Sequence, residues 1–259
     1  MYIKRALYIL LALTVCVMAS VSCSTKKNTA ASRFWQSFNT RYNVYYNGSQ
    51  AYIEGEKSKV QGHKDNYTEF LPVFLVGNEK SRTSGKSSFE TAITKCQKAI
   101  ALHSIKRRPV VSASKRKTPK MKAYLQRKEY NPFLKNAWLM MGRAQFEKGD
   151  FLEAAATFSY IARLYAAEPA VAAEANQWLA RCYTQEKWYY DAEDALKRMR
   201  RDTIQRATLR EADATQADLL LRQERFEEAL PYLERAARYA KGSFRQARLY
   251  YLLGQVQHH

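Results

Sequence analysis

The sequence predicts an all-α solenoid, in which antiparallel helix pairs stack one upon the next. Three observations predict it. The chain of 259 residues holds only 9 Gly and 6 Pro, too few for a fold built on tight turns. Apolar residues make up 46% and charged residues 26%, a balance that buries a core. In the C-terminal half, small and large apolar residues recur at a near-constant spacing, which is the mark of a repeat architecture.

The N-terminus, residues 1–22, is expected to be a signal peptide. The cations Lys4 and Arg5 precede an apolar run that is shorter than the ~20 residues of a membrane span. Ser22 then precedes Cys23. This arrangement resembles the lipobox of bacterial lipoproteins, which implies a covalent lipid on Cys23 at the mature N-terminus. An uncleaved anchor helix and an ordinary cleaved signal are the alternatives.

The tether that follows, residues 23–31, indicates a location. Ser24 stands after the cysteine, and in the lipoprotein sorting pattern that this resembles, a residue other than Asp implies the outer membrane. Thr25, Lys26 and Lys27 include no acidic cluster of the kind linked to surface export. The protein is therefore expected to face the periplasm.

Residues 32–103 are predicted to form an N-terminal helical region that looks like a split repeat. Its first helix runs from about 32 to 56 and carries an aromatic stripe, interpreted as packed core; a peptide- or glycan-stacking site is the alternative. Its second helix contains Phe89, Ala92 and Cys96. The insertion 57–88 between them is expected to cap the N-terminal end of the solenoid, with partner docking as the other possibility.

Positive charge is concentrated before the repeats. Residues 24–134 hold 22 basic and 7 acidic side chains, whereas residues 135–259 hold 19 and 17. The densest stretch lies within a predicted loop, the basic linker 104–122, which contains no acid. An acidic protein, an anionic lipid surface or a cell-wall polymer would suit it; a solvated linker is the alternative. Its eight cations are Lys106, Arg107, Arg108, Lys115, Arg116, Lys117, Lys120 and Lys122.

The repeat is most visible in residues 132–259. Trp138-x2-Met141-Gly142 opens a first helix, and Ala154-x3-Phe158 lies in its partner. The pattern resembles the tetratricopeptide repeat, with a period longer than that family's 34 residues by about one helical turn. Three repeats and the start of a fourth are predicted, and because the partner of the last helix is missing, we expect a longer protein. The small residues at the helix crossings are Gly142, Ala180, Ala217 and Gly254, followed in the second helices by Ala154, Ala192 and Ala229.

In tetratricopeptide domains the first helix of each pair lines a concave groove that binds a protein or peptide. The alternative for each position is an ordinary solvated helix face. Carried over by register, the groove positions of this chain are Asn136, Arg143, Glu147, Glu174, Arg181, Gln185, Asp218, Arg222 and Arg248.

Motifs for catalysis are not found. The four His, at positions 63, 103, 258 and 259, lack metal-ligand spacing, and Cys96 and Cys182 fall on predicted packed helices. No phosphate-binding loop, dinucleotide fingerprint or nucleophile elbow occurs. We therefore predict a non-enzymatic protein without a small-molecule substrate, and without a cofactor apart from the lipid on Cys23. Nucleic acid is disfavoured as a partner by the export signal.

Five segments together resemble one particular family. They are CSTKKNTAASRFW from Cys23, FNTRYNVYYNG from Phe38, DNYTE from Asp65, KAIALHSIK from Lys98, and EYNPF from Glu129. With the Trp138 repeat, they resemble the PorW/SprE group of tetratricopeptide lipoproteins from Bacteroidota, over almost the whole chain after the leader.

The resemblance implies a periplasm-facing scaffold of type IX protein secretion and, in gliding species, of motility. Such lipoproteins are thought to link the outer-membrane translocon to periplasmic ring or motor subunits. Three alternatives stay open: a BamD-like lipoprotein of outer-membrane protein assembly, a cell-wall-binding module, and an enzyme whose active site lies in a C-terminal part beyond this chain.

Overall fold

The computed structural model describes residues 27–76, 82–200 and 204–259, and within these ranges the protein is helical and contains no strand. The predicted signal peptide and the lipidation site Cys23 lie outside the described residues. Of the described helices, none has both the length and the apolar composition needed to cross a membrane. The helices are α1 (Ala30–Asn39), α2 (Tyr46–Gly62), α3 (Lys86–His103), α4 (Ala113–Arg116), α5 (Pro119–Leu125), α6 (Leu134–Lys148), α7 (Phe151–Leu164), α8 (Pro169–Gln185), α9 (Tyr189–Arg200), α10 (Arg206–Arg222), α11 (Phe226–Tyr239) and α12 (Ser243–Gln257).

Helices α6 to α11 form three hairpins that share one turn geometry. The residue two positions before the second helix is left-handed in each: Gly149 at φ +90°, Lys187 at 61° and Glu224 at 59°. Only Gly adopts this conformation without a steric cost, so Lys187 and Glu224 are held there by their helices. In each hairpin, the N–H of the next residue then donates a hydrogen bond to the backbone carbonyl five residues earlier, as in the Schellman motif that ends many helices. These bonds run from Asp150 to Gln145 (3.0 Å), Trp188 to Tyr183 (2.9 Å) and Arg225 to Leu220 (2.9 Å).

The hairpins pack through small residues that the sequence singled out, except Gly254, where the prediction of a helix crossing is wrong because nothing lies within 4 Å of an added Cβ. Each second helix lies against its own first helix, and α7 and α11 also pack on the next first helix, α8 and α12. Ala154, Ala192 and Ala229 are completely buried at these crossings. At Gly142, an added Cβ would come within 2.7 Å of the Phe158 ring. Helices α6 and α7 can therefore come this close only because Gly142 has no side chain.

Helix α1 differs from the expectation of a packed aromatic core. It is followed directly by a π-helical turn, Thr40–Tyr45, and by α2, so the helical stretch extends to Gly62 rather than 56. The rings of Phe34, Phe38 and Tyr42 are exposed, and the polar Gln36 is buried instead. Later in the same helical stretch, Tyr45 and Tyr52 do pack against buried residues of the core. The packed-core interpretation of the aromatic stripe is therefore wrong for its first three rings and confirmed for Tyr45 and Tyr52.

The insertion 57–88 is predicted to cap the N-terminal end, and for its residues 63–76 that expectation is wrong, because they reach α12. Residues 63–76, which we call the strap, run along the first helices to α12. Leu71 and Val73 are buried with Leu249 and Leu252 of α12. Pro72 between them is exposed, as the alternation of an extended chain requires.

The basic linker is also not a continuous loop, because it contains α4 and the start of α5. Thr118 caps α5 by accepting a hydrogen bond from the backbone N–H of Met121, and Pro119 occupies the first turn, where it costs no hydrogen bond. All eight predicted cations are exposed. Four of them, Lys115, Arg116, Lys120 and Lys122, lie on these short helices, and the other four lie in the loop and turn around them.

The glycine at the α6–α7 crossing gives a test of this packing. We expect Gly142→Ala to lower the free energy of unfolding by about 1–3 kcal/mol, because the new methyl group overlaps the Phe158 ring. Gly254→Ala in α12 is the matched control, since nothing lies within 4 Å of its added Cβ. That change should stabilise by roughly 0.5–1 kcal/mol through helix propensity. Urea unfolding measures both, and equal effects would contradict the predicted crossing.

Candidate protein-binding groove

A cavity of about 680 Å³ lies between α2, the strap and the first helices α6, α8, α10 and α12. We call it the groove. Of the nine positions carried over by register, five line it: Arg143, Glu147, Glu174, Arg181 and Arg248. Asp218 and Arg222 border a second cavity beneath the strap. Asn136 lines neither of these two cavities, and its side chain donates a hydrogen bond to the carbonyl of Phe133 at the start of α6 (3.1 Å).

The predicted groove residues do not form a free polar wall, because they bind one another across the repeats. Arg143 of α6 pairs with Glu174 of α8. One step further, Gln185 of α8 donates to Asp218 of α10 (2.9 Å), and Arg222 donates back to Gln185 (2.9 Å). These bonds link the first helices of neighbouring repeats. The polar positions therefore fix the stacking of the repeats as well as lining the groove.

Arg181 is the centre of this arrangement. It is only 3% exposed, and its guanidinium lies between the rings of Phe74 (3.9 Å) and Trp178 (4.1 Å). Glu211 of α10 accepts its hydrogen bond at 2.9 Å. Burial lowers the pKa of Arg181, and Glu211 opposes that shift. Since a buried cation is costly without a partner, both the carboxylate and the rings are needed to hold it.

Glu211 joins Arg181 to a second cation. Arg245 of α12 donates to its two carboxylate oxygens at 2.8 and 3.0 Å. Burial would raise the pKa of Glu211, but Arg181 and Arg245 outweigh it and hold the pKa at about 2. One carboxylate therefore bridges α8 and α12. Sequence analysis missed Glu211, although it stands 30 residues after Arg181, close to the 31 that separate Arg143 and Glu174.

The strap fills the C-terminal end of the groove. Arg248 forms a two-pronged ion pair with Asp65, with contacts of 2.8 to 3.0 Å, and donates to the carbonyl of Pro72 (3.1 Å). Gln255 accepts from the backbone N–H of Leu71 (3.0 Å) and donates to the carbonyl of Glu69 (2.8 Å). An extended segment of the chain thus occupies the place that a bound peptide takes in a helical groove.

Helix α2 covers the other end. Lys59 is buried and reaches Glu147 of α6, with its Nζ 3.0 Å from the carboxylate. Beside it, burial and then the charge of Glu147 raise the pKa of Glu56. The groove opens to solvent between α2 and the starts of α10 and α12. The exposed residues at its rim are Glu56, Val60, Gln205, Ala207, Lys241 and Phe244.

The described residues contain no cluster of three or more His, Cys, Asp or Glu able to hold a metal ion. Cys96 and Cys182 are buried free thiols. Burial raises the pKa of Cys96 to about 12, and raises that of Cys182 as well. Both thiols are therefore protonated, and poor nucleophiles, at neutral pH.

Comparison with known proteins adds no relative to these observations. No protein-family model matches the chain, and no curated protein matches it. The functional inference therefore rests on the groove, the strap and the distribution of charge.

The Arg248–Asp65 pair predicts a pH-dependent stability. Burial alone would raise the pKa of Asp65, but hydrogen bonds from Arg248 and His63 outweigh it, so the pKa is lowered. A lowered pKa stabilises the fold above the unfolded value of about 4, and this contribution is lost as pH falls through the folded value. Asp65→Asn should therefore cost about 3 kcal/mol at pH 7, because Arg248 keeps a buried charge without its partner. The difference from the wild type should shrink below about pH 4.

Asp194→Asn is the matched control, since Asp194 pairs with Arg198 one turn away on the exposed surface of α9. It should change stability by less than about 0.5 kcal/mol at any pH. Urea titrations of both variants from neutral to acidic pH measure the effect. Equal losses at pH 7 would contradict a structural role for the buried pair.

Proposed function

We propose that this chain is a non-catalytic scaffold of the bacterial envelope that binds a protein partner in its groove. The fold is proposed to be a tetratricopeptide-like solenoid. Its support is the identical left-handed turn at Gly149, Lys187 and Glu224 and the buried alanines of the second helices. Helical repeats of this kind bind extended peptides and helices in their grooves.

The observation that carries the proposal is the way in which the strap is held. Its backbone bonds to Gln255, its acidic Asp65 to Arg248, and its aromatic Phe74 stacks on Arg181. These are the contacts by which a groove recognises an extended segment: backbone hydrogen bonds, one charge pair and an aromatic anchor. A partner segment with acidic and aromatic side chains suits the part of the groove that remains open.

The proposed setting rests on the sequence. The leader and Cys23 support a lipid anchor on the periplasmic side of the outer membrane. The resemblance to the PorW/SprE group supports a role in type IX secretion or gliding, in which the scaffold would link the translocon to ring or motor subunits. In this mechanism the lipid fixes the N-terminus, the basic region contacts an acidic or anionic surface, and the groove binds a secretion subunit.

A clean gene deletion tests the proposed pathway. Mass spectrometry of medium and periplasm should show cargo with type IX sorting domains lost from the medium and accumulating inside the cell. Unchanged export of that cargo would overturn this setting. A general loss of outer-membrane barrels would favour the BamD-like alternative instead.

The groove itself is tested at its rim. The double variant Lys241→Glu with Phe244→Ala changes two exposed rim residues that form no ion pair themselves, although the Phe244 ring lies 5.9 Å from the Arg248 guanidinium. Urea unfolding of the variant therefore accompanies the binding measurement, to show that the fold is retained. We expect recovery of the partner with the tagged full chain to fall about tenfold, as for the loss of one interface hot spot. The control is Tyr190→Ala on α9, because Tyr190 is 90% exposed and outside the groove. Equal recovery from both variants would contradict binding at this rim.

A further inference from the structure

We propose that an exposed aromatic face of α1 and the basic segment beside it dock on the surface of an anionic phospholipid bilayer. The aromatic face consists of Phe34, Trp35, Phe38 and Tyr42. The basic segment is residues 106–122. The inference deepens the proposed function, since it assigns a second contact with the membrane besides the lipid proposed on Cys23.

The aromatic face is a continuous apolar surface. Phe34 is 69% exposed and Trp35 is 59% exposed. Phe38 joins them, with ring centroids 6.3 Å from both, and Tyr42 follows at 4.8 Å from Phe38. Isolated exposed apolar residues are ordinary, whereas a contiguous patch of four aromatic rings marks an interaction surface.

The fold holds this face outward through polar contacts on the opposite side of the helix. The ring nitrogen Nδ1 of His103 hydrogen-bonds to the side chain of Gln36. Asn131 donates to the hydroxyl of Thr40 at 3.0 Å, and Thr40 is completely buried. Turning α1 inward would leave these buried groups without partners, and each unpaired buried polar group costs about 1–3 kcal/mol. The outward orientation is therefore built into the fold.

The basic segment lies beside the start of α1. Asn28 donates to the carbonyl of Arg107 (2.6 Å), and the Arg33 guanidinium lies 5.9 Å from the centre of the Tyr124 ring in α5. Among the residues that the structure describes, none of the eight cations of the segment forms an ion pair with an acidic side chain. The segment contains no acid, and the first acid of the whole chain is Glu54.

The positive charge of this surface and its short distance from Cys23 along the chain favour a lipid bilayer as the binding partner. In the sequence, Cys23 precedes the first residue of α1 by seven positions, and seven residues of extended chain span about 25 Å at most. Trp and Tyr rings prefer the boundary between headgroups and acyl chains, and clustered Lys and Arg are attracted to anionic headgroups. An acid-free surface with both features, close to the anchored residue, is complementary to such a membrane.

The test uses the full chain, purified from the cell envelope and reconstituted into phosphatidylcholine vesicles with or without phosphatidylglycerol. Brominated acyl chains in these vesicles quench the fluorescence of any Trp that contacts them. We expect quenching that requires phosphatidylglycerol and is lost in Trp35→Phe. The matched control is Trp188→Phe, since Trp188 is 48% exposed between α8 and α9 and far from α1 in the sequence. It should leave the quenching unchanged.

A second variant tests the cations. Charge reversal of Lys115, Arg116 and Lys117 to Glu should abolish the quenching seen with phosphatidylglycerol vesicles, and added salt should weaken the wild-type quenching. The proposal would be overturned if wild type and Trp35→Phe were quenched equally, or if quenching were equal in both kinds of vesicle. The aromatic face would then be assigned to a protein partner or to a second copy of this chain.

The lipid anchor is tested separately by the mass of the N-terminal peptide. An unmodified Cys23 together with Trp35 quenching would refute the anchor but support the docking face. A lipidated Cys23 without Trp35 quenching would refute the docking face alone.

Discussion

The ion pair between Arg248 and Asp65 holds together parts of the chain 183 residues apart, and the shape of the groove depends on it. Each charge is almost fully buried, so neither would be stable in that place without the other. The pair orients the strap so that Leu71 and Val73 enter the core formed with α12. Phe74 then reaches Arg181, whose charge also joins α8 to α10 through Glu211. One long-range contact therefore determines which part of the groove stays open.

The strap also limits how a partner can bind. Burial of Leu71 and Val73 contributes roughly 1.5–3 kcal/mol each, and the buried ion pair is costly to break by removing one partner. A partner that displaced the strap would lose this free energy before gaining any of its own. A partner that binds at the open rim, next to the strap, avoids that loss. Binding at the rim between α2 and the starts of α10 and α12 therefore costs less free energy.

The helical fold and the packing of neighbouring helices could be predicted from the sequence because their signal is local: Gly142, Ala154 and Ala192 lie at helix crossings where the spacing put them. The left-handed turns at Lys187 and Glu224 could not, since neither residue type favours that conformation. For α1 the spacing located a face but not its direction, which buried polar partners decide. The position of the strap could not be predicted either, because its Asp65 pairs with Arg248 of α12, far away in the sequence. A pattern of neighbouring residues carries no information on a contact between such distant segments.

The uneven charge of the chain follows from the same contacts. In the repeats the cations have carboxylate partners in neighbouring helices, such as Glu174 for Arg143 and Glu211 for Arg245, so 135–259 is nearly neutral. Residues 24–134 carry the excess, and the exposed cations of 106–122 repel one another, which weakens the folded state slightly. That repulsion falls when an anionic surface supplies the missing counter-charge. The aromatic rings of α1 are exposed beside the same cations and would lose contact with water on the same surface. Binding to one anionic surface would therefore reduce both the repulsion between the cations and the exposure of the rings to water.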